Sequence, residues 1–253
     1  MTKQILILIA AAGVIGGLYA QTSNFQPPGW TPAPGPSHAD AMWRPDGQSG
    51  PVAGRPFSGT EIRHTTQVLA DGTHVDHSDT SMFYRDAQGR MRNESPNRVQ
   101  IYDPVAGYSY TLELKDKTYE KTPLRNADGT YSLAVVGSLI VSGGGDKPSP
   151  TQLRSAKTDG SVMTPQMVNG VSCKGTRIAT VIPAGSFGND RDVKVVNERW
   201  YSDDLKALVK STNSDPRFGT STYELTNIVQ GHPDASLFLV PTDFVNEQRH
   251  GVQ

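Results

Sequence analysis

The chain has 253 residues, a formal net charge of −1 and a single cysteine. Near-neutral charge supplies no basic excess for nucleic acid and no acidic tail. One thiol gives no internal disulfide, so the stability of an exported form has to come from a packed core.

The first residues predict export. Lys3 gives a positive start, Ile5 to Gly17 is unbroken apolar or small sequence, and Leu18-Tyr19-Ala20 ends in a small residue before Gln21. That is the three-part layout of a secretory signal over residues 1–20, with cleavage after Ala20. Its apolar run of roughly 16 residues is short of the ~20 needed to cross a bilayer, and no later stretch spans one. From 21 to 56 the chain carries Pro27, Pro28, Pro32, Pro34, Pro36, Pro45, Pro51 and Pro56 among Gly, Ser and Ala. Too little apolar surface exists there to offset ordering entropy, so an extended leader is expected, with Trp30 and Trp43 as its exceptions.

A β-rich domain is predicted over 57–247. Glu61 to Leu69 and Thr73 to Tyr84 form a long hairpin. With its turn centred on Asp71-Gly72, His64 faces Asp79 and Val68 faces Val75. Met91 to Glu94, Val99 to Tyr102, Tyr108 to Leu114 and Thr118 to Leu124 continue as a meander. Tyr108, Tyr110, Leu112 and Leu114 alternate with Ser109, Thr111 and Glu113, the period of a half-buried strand. Tyr131 to Val141 is apolar without a clean period, strand or short helix, and Ser142 to Pro148 breaks it. Thr151 to Lys157 reads as one or two helical turns. Strands resume over Met167–Ile182, then Val193–Tyr201, Ala207–Thr212 and Ser221–Val229, with Asp215 to Gly219 as a turn. Leu237, Phe238 and Val240, between Pro233 and Pro241, close an edge of the core.

The second half carries a resemblance. Gly175-Thr176-Arg177, Ile182-Pro183-Ala184-Gly185, Glu198-Arg199-Trp200-Tyr201-Ser202, Asp215-Pro216-Arg217-Phe218-Gly219, Tyr223-Glu224-Leu225-Thr226-Asn227-Ile228 and Leu237-Phe238-Leu239-Val240-Pro241 resemble a family of exported bacterial proteins, acidobacterial above all. Tyr84 to Arg90 and Tyr102 to Gly107 fit it too. More distantly the plan is similar to periplasmic lipoprotein carriers with a LolA-like half-barrel. That resemblance implies a mainly β fold: an open, strongly curved antiparallel sheet with one or two short helices, whose hollow takes acyl chains in the carriers.

The chemistry is sparse. With the hairpin register above, His64, His77 and Asp79 share one face, and two imidazoles with a carboxylate are the donors of a zinc or copper site. No Gly-x-Ser-x-Gly elbow occurs, and Ser142-Gly143-Gly144-Gly145-Asp146-Lys147 lacks the ending of a phosphate loop. Arg85, Arg90, Arg92 and Arg98 cluster, but Asp86 and Glu94 interleave with them, the pattern of a solvated hairpin end. Cys173 beside Lys174 is expected to be buried and inert.

The expectation is therefore an exported periplasmic or extracellular protein without cofactor or catalytic residues. It binds a lipid, another amphipathic ligand or an envelope protein in a concave sheet, and does not bind nucleic acid. The alternatives are a metal protein built on His64, His77 and Asp79, and a self-assembling surface protein.

Overall fold

The computed structural model describes residues 51–125 and 157–247. The predicted signal, most of the leader, the Tyr131–Val141 run, the glycine loop and Thr151–Ala156 lie outside the described residues.

Among the described residues twelve strands form one sheet. They are β1 (Phe57–Val68), β2 (His74–Arg85), β3 (Met91–Glu94), β4 (Arg98–Asp103), β5 (Tyr108–Glu113), β6 (Thr118–Pro123), β7 (Lys157–Val168), β8 (Val171–Ile182), β9 (Val193–Ser202), β10 (Ala207–Asp215), β11 (Gly219–Gln230) and β12 (Val245–Asn246). Among the described residues the helical element is a 3-10 turn over Ala235–Phe238. The spatial order is β12-β6-β5-β4-β3-β2-β1-β11-β10-β9-β8-β7, so two hairpin ladders meet where β1 pairs with β11. Every pairing is antiparallel except the short β12–β6 contact, which is parallel. The sheet is curved and open, ending among the described residues in β7 and β12.

Long-range hydrogen bonds from two side chains record the curvature. Arg85, at the end of β2, donates to the carbonyls of Leu205 and Lys206 in the β9–β10 turn, the latter at 3.3 Å. Asn169, in the β7–β8 turn, donates from Nδ2 to the carbonyl of Leu225 on β11 at 3.0 Å. In both cases three strand steps lie between the partners, about 14 Å across a flat sheet. Only a bent sheet brings them together. We call the face toward which the β9–β10 turn folds to meet Arg85 the inner face.

Burial is uneven along the strands. At one end Phe57, Phe83, Met91, Tyr102, Val209 and Leu225 pack on each other, all 7% exposed or less, and Val171, Cys173 and Leu205 join the same cluster. Pro51 to Pro56, the last part of the proline-rich segment, belongs here: Val52 is buried and Gly54 donates to Ala87. A second core lies on the outer face, where Val99, Ile101 and Leu112 are covered by Val240 and Phe244 of the C-terminal strap. Phe238 is buried under the Arg90 guanidinium, and Arg92 donates to the Leu237 carbonyl. The expected closure by Leu237, Phe238 and Val240 thus falls on the outer face of the β3–β6 meander.

Two departures from the sequence reading have local causes. Met167–Ile182 is not one strand: Asn169 and Gly170 take φ of 48° and 86° and turn the chain between β7 and β8. Asn-Gly is the preferred pair for a two-residue hairpin with both residues left-handed. β7 itself carries no alternating apolar signal, because nearly all its side chains are exposed; Pro165 sits where its pairing shifts between Met163 and Gln166, the place an edge strand tolerates proline. Replacing Asn169 with alanine removes both a side chain tolerant of the left-handed region and the latch to Leu225. The expected loss is about 2 kcal/mol of unfolding free energy, read by urea titration. A loss under about 0.5 kcal/mol means the latch contributes nothing.

Candidate binding face

In antiparallel pairs, directly opposed residues point to the same side. Phe57, Glu61, Arg63 and Thr65 on β1 are therefore flush with Arg85, Ser81, Asp79 and His77 on β2, and Glu61, Arg63 and Thr65 with Leu225, Tyr223 and Ser221 on β11. Asn93 of β3 follows from Phe83, and Ser211 and Asn213 of β10 from Tyr223 and Ser221. The inner face thus changes chemistry along the strands, from the apolar cluster at one end to polar residues at the other.

Glu61 marks the boundary. It is 1% exposed, yet its carboxylate accepts from four side chains on four strands. Tyr223 Oη donates to Oε1 at 2.9 Å. Asn93 Nδ2, Arg63 Nη2 and Ser81 Oγ donate to Oε2 at 2.7, 3.1 and 3.2 Å. Arg63 also lies over the Tyr223 ring, 5.6 Å from its centroid. A buried carboxylate is tolerated only when its lone pairs are satisfied in this way.

Beyond Glu61 the core thins out. β2 from His74 to Thr80 is exposed on both faces, as is β7 from Lys157 to Val162. On the inner face of this half one unbroken cross-strand row joins Asn197, Asn213, Ser221, Thr65 and His77 through successive pairings of β9, β10, β11, β1 and β2. Ser221 is the floor of the row at 2% exposed; Asn197, Asn213 and Thr65 are half-buried and His77 is exposed.

The predicted metal triad is split between the two faces. The β1–β2 loop has three residues, Ala70 to Gly72, closed by Leu69 N–H donating to Thr73 O, with Gly72 at φ 84°. A two-residue turn was expected; the extra residue slips the register by one, so His64 pairs with Ser78 and Arg63 with Asp79. His64 then stands on the outer face, 3.5 Å from Asp76 and 2.9 Å from Thr66 Oγ1. His77 and Asp79 stay together on the inner face, 2.8 Å apart. Among the described residues no three His, Cys, Asp or Glu side chains converge on a point.

The remaining candidates are occupied. Arg85 is held by carbonyls, Arg90 by Asp86, Arg92 by Glu94 and Arg98 by Glu113. Lys174 pairs with Asp203 at 2.5 Å and holds that carboxyl below its ordinary range. Cys173 is 1% exposed, and burial pushes its thiol from 9.0 up to about 11. The folded state keeps the proton that the unfolded thiol gives up. This group's contribution to stability is complete below pH 9.0 and declines as the pH rises toward 11. At pH 8 a thiol reagent should label the denatured chain and leave the native one unmodified; rapid native labelling contradicts the burial.

No protein-family model matches the chain and no curated protein does. Solved structures do match. MucB in complex with the periplasmic part of MucA is 16% identical with a TM-score of 0.34, covering 75% of this chain and 55% of that one. The chain thus spans little more than half the length of that MucB chain. The lipoprotein LppX of Mycobacterium tuberculosis is 14% identical with a TM-score of 0.24, covering 70% and 86%. A LolA-superfamily protein of Nitrosomonas europaea is 8% identical with a TM-score of 0.23, covering 79% and 94%. The chain is distantly similar to LolA-like proteins. Glu61, Tyr223 and the row through Ser221 escaped the sequence reading because their meeting depends on β1 pairing with β11, across more than 150 residues. Alternation alone marks which residues of one strand share a side, and no local signal marks the partner.

Proposed function

We propose that this chain is an exported, non-enzymatic binding protein of the cell envelope that receives an amphipathic ligand or a segment of a partner protein on the inner face of its sheet. The observation that carries this reading is the mismatch between sheet and core. Strands β1 and β2, twelve residues each, extend about 40 Å, and on β2 only the Ser81–Arg85 end of the inner face is packed. β2 runs from buried Arg85 and Phe83 to a stretch exposed on both sides. Sheet area that encloses no core of its own is area offered to something else. The signal-like start, with Lys3 ahead of Ile5 to Gly17, supports export.

The packed half of the inner face supplies the apolar side chains and is already filled, so a guest meets the polar half first. This shifts the reading away from a bare acyl chain and toward a ligand with a polar portion. A photo-crosslinking residue at Val75, on the inner face of β2, should trap a guest in the native envelope. The same residue at Thr80, on the outer face of that strand, should trap none. Equal yields from both positions, together with native mass spectra that never show an added mass, would sink the proposal.

A further inference from the structure

We propose that the edge of β7 from Lys157 to Met163 takes an extended segment of a partner protein as an added strand, with an aromatic side chain opposite Gly160. Among the described residues β7 pairs with β8 alone and ends the sheet. Its register runs unbroken from the Lys157–Val181 pair to the Met163–Gly175 pair. The register shift and Pro165, both of which blunt an edge, fall beyond that stretch. Main-chain N–H and C=O groups therefore line the edge for about 20 Å, at a repeat of about 6.8 Å. Another extended backbone matches that repeat, donor for acceptor. An acyl chain brings no donor or acceptor to it, and sugar hydroxyls follow their rings rather than a straight two-residue repeat.

Gly160 selects what the added strand carries. Its φ lies outside the left-handed region, and a Cβ built on it would meet nothing within 4 Å. Neither backbone nor packing among the described residues calls for a glycine, and one inside a strand weakens it. Gly160 pairs with Ile178, which is 42% exposed on the inner face, and Val162 on the same side is 83% exposed. The missing side chain leaves a notch between Thr158 and Val162. A ring on the added strand can lie across the notch and cover Ile178, as an aromatic shields a glycine on a neighbouring strand. On the outer side Lys157 and Asp159 are exposed, with no ion-pair partner among the described residues. A segment that alternates inward apolar residues with outward acidic and basic ones complements both. A second copy of this chain fits less well: antiparallel self-pairing about Gly160 sets glycine against glycine and leaves Ile178 uncovered. Strand addition needs no guest on the inner face of β2, so capture at β7 and crosslinking from Val75 can fail separately.

The test uses the full chain and a short fluorescent peptide that alternates valine with glutamate and lysine and carries a central phenylalanine on its valine side. An alanine counterpart and a fully N-methylated counterpart serve as controls, and fluorescence polarisation reads the affinity. The phenylalanine peptide is expected to bind about fivefold more tightly than the alanine one, and that ratio should fall to about one in Gly160→Val, whose side chain fills the notch. N-methylation should abolish binding, and hydrogen exchange across Lys157 to Met163 should slow when the peptide is added. Thermal melts show whether Gly160→Val is folded; Ile178→Thr, which keeps Gly160, should lower the same ratio. No binding, equal affinity for the phenylalanine and alanine peptides, or a ratio unmoved by both variants overturns the assignment. So does binding of the N-methylated form, full protection of Lys157 to Met163 without peptide, or a dimer in light scattering that the peptide does not dissociate.

Discussion

Replacing Arg85 with leucine is expected to lower the unfolding free energy by about 3–5 kcal/mol. The guanidinium is 1% exposed and holds three carbonyls, those of Arg55, Leu205 and Lys206. Its Cζ lies 4.7 Å from the centroid of the Phe57 ring. Leucine keeps some of the packing but leaves those carbonyls buried without donors, each costing about 1–3 kcal/mol less whatever relaxation recovers. Lysine should recover only part of the loss, because one ammonium on a flexible stem does not reproduce a planar fork aimed at three acceptors. Chemical denaturation of Arg85→Leu and Arg85→Lys measures both. A leucine variant within about 1 kcal/mol of the parent would show that the β9–β10 turn is held in place by other contacts.

Glu61→Ala carries the second large expectation, a loss of about 3 kcal/mol. The carboxylate ties β1 to β2, β3 and β11 through Ser81, Asn93 and Tyr223, and removing it strands those donors in a buried site. Glu61→Gln should cost less, since one amide oxygen still accepts, but its NH₂ then opposes groups that also donate. A double-mutant cycle with Tyr223→Phe isolates the strand-to-strand link. Coupling of about 1 kcal/mol or more is expected, and additive losses would mean the hydroxyl and the carboxylate do not cooperate. Glu61 sits where the apolar half of the inner face ends. Its loss should therefore also weaken whatever guest the crosslinker at Val75 traps.

Turn chemistry made most hairpins legible before any fold was known. Asp103-Pro104 with Gly107, and Asp215-Pro216 with Gly219, carry their own hydrogen bonds: Asp103 Oδ1 accepts from Val105 and Ala106, and Asp215 Oδ1 from Arg217. These are contacts within a few residues, so composition alone announces them. Asn169-Gly170 had the same local signal, yet the hairpin it makes was hidden by β7, whose exposed polar residues leave no period to read.

The amino-acid sequence by itself determined antiparallel hairpins, their approximate spans, the apolar side of the β4–β6 meander and a thiol without a partner. Tertiary structure decided three things. A three-residue loop rather than a two-residue one separated His64 from His77 and Asp79, since a single step of register exchanges the faces of a strand. The pairing of β1 with β11 gathered Glu61, Tyr223 and the row through Ser221 from opposite ends of the domain. The bend that brings Arg85 to Leu205 chose which side encloses and which is exposed. Each of these is a relation between distant segments, and alternation within a strand is the same whichever neighbour that strand acquires.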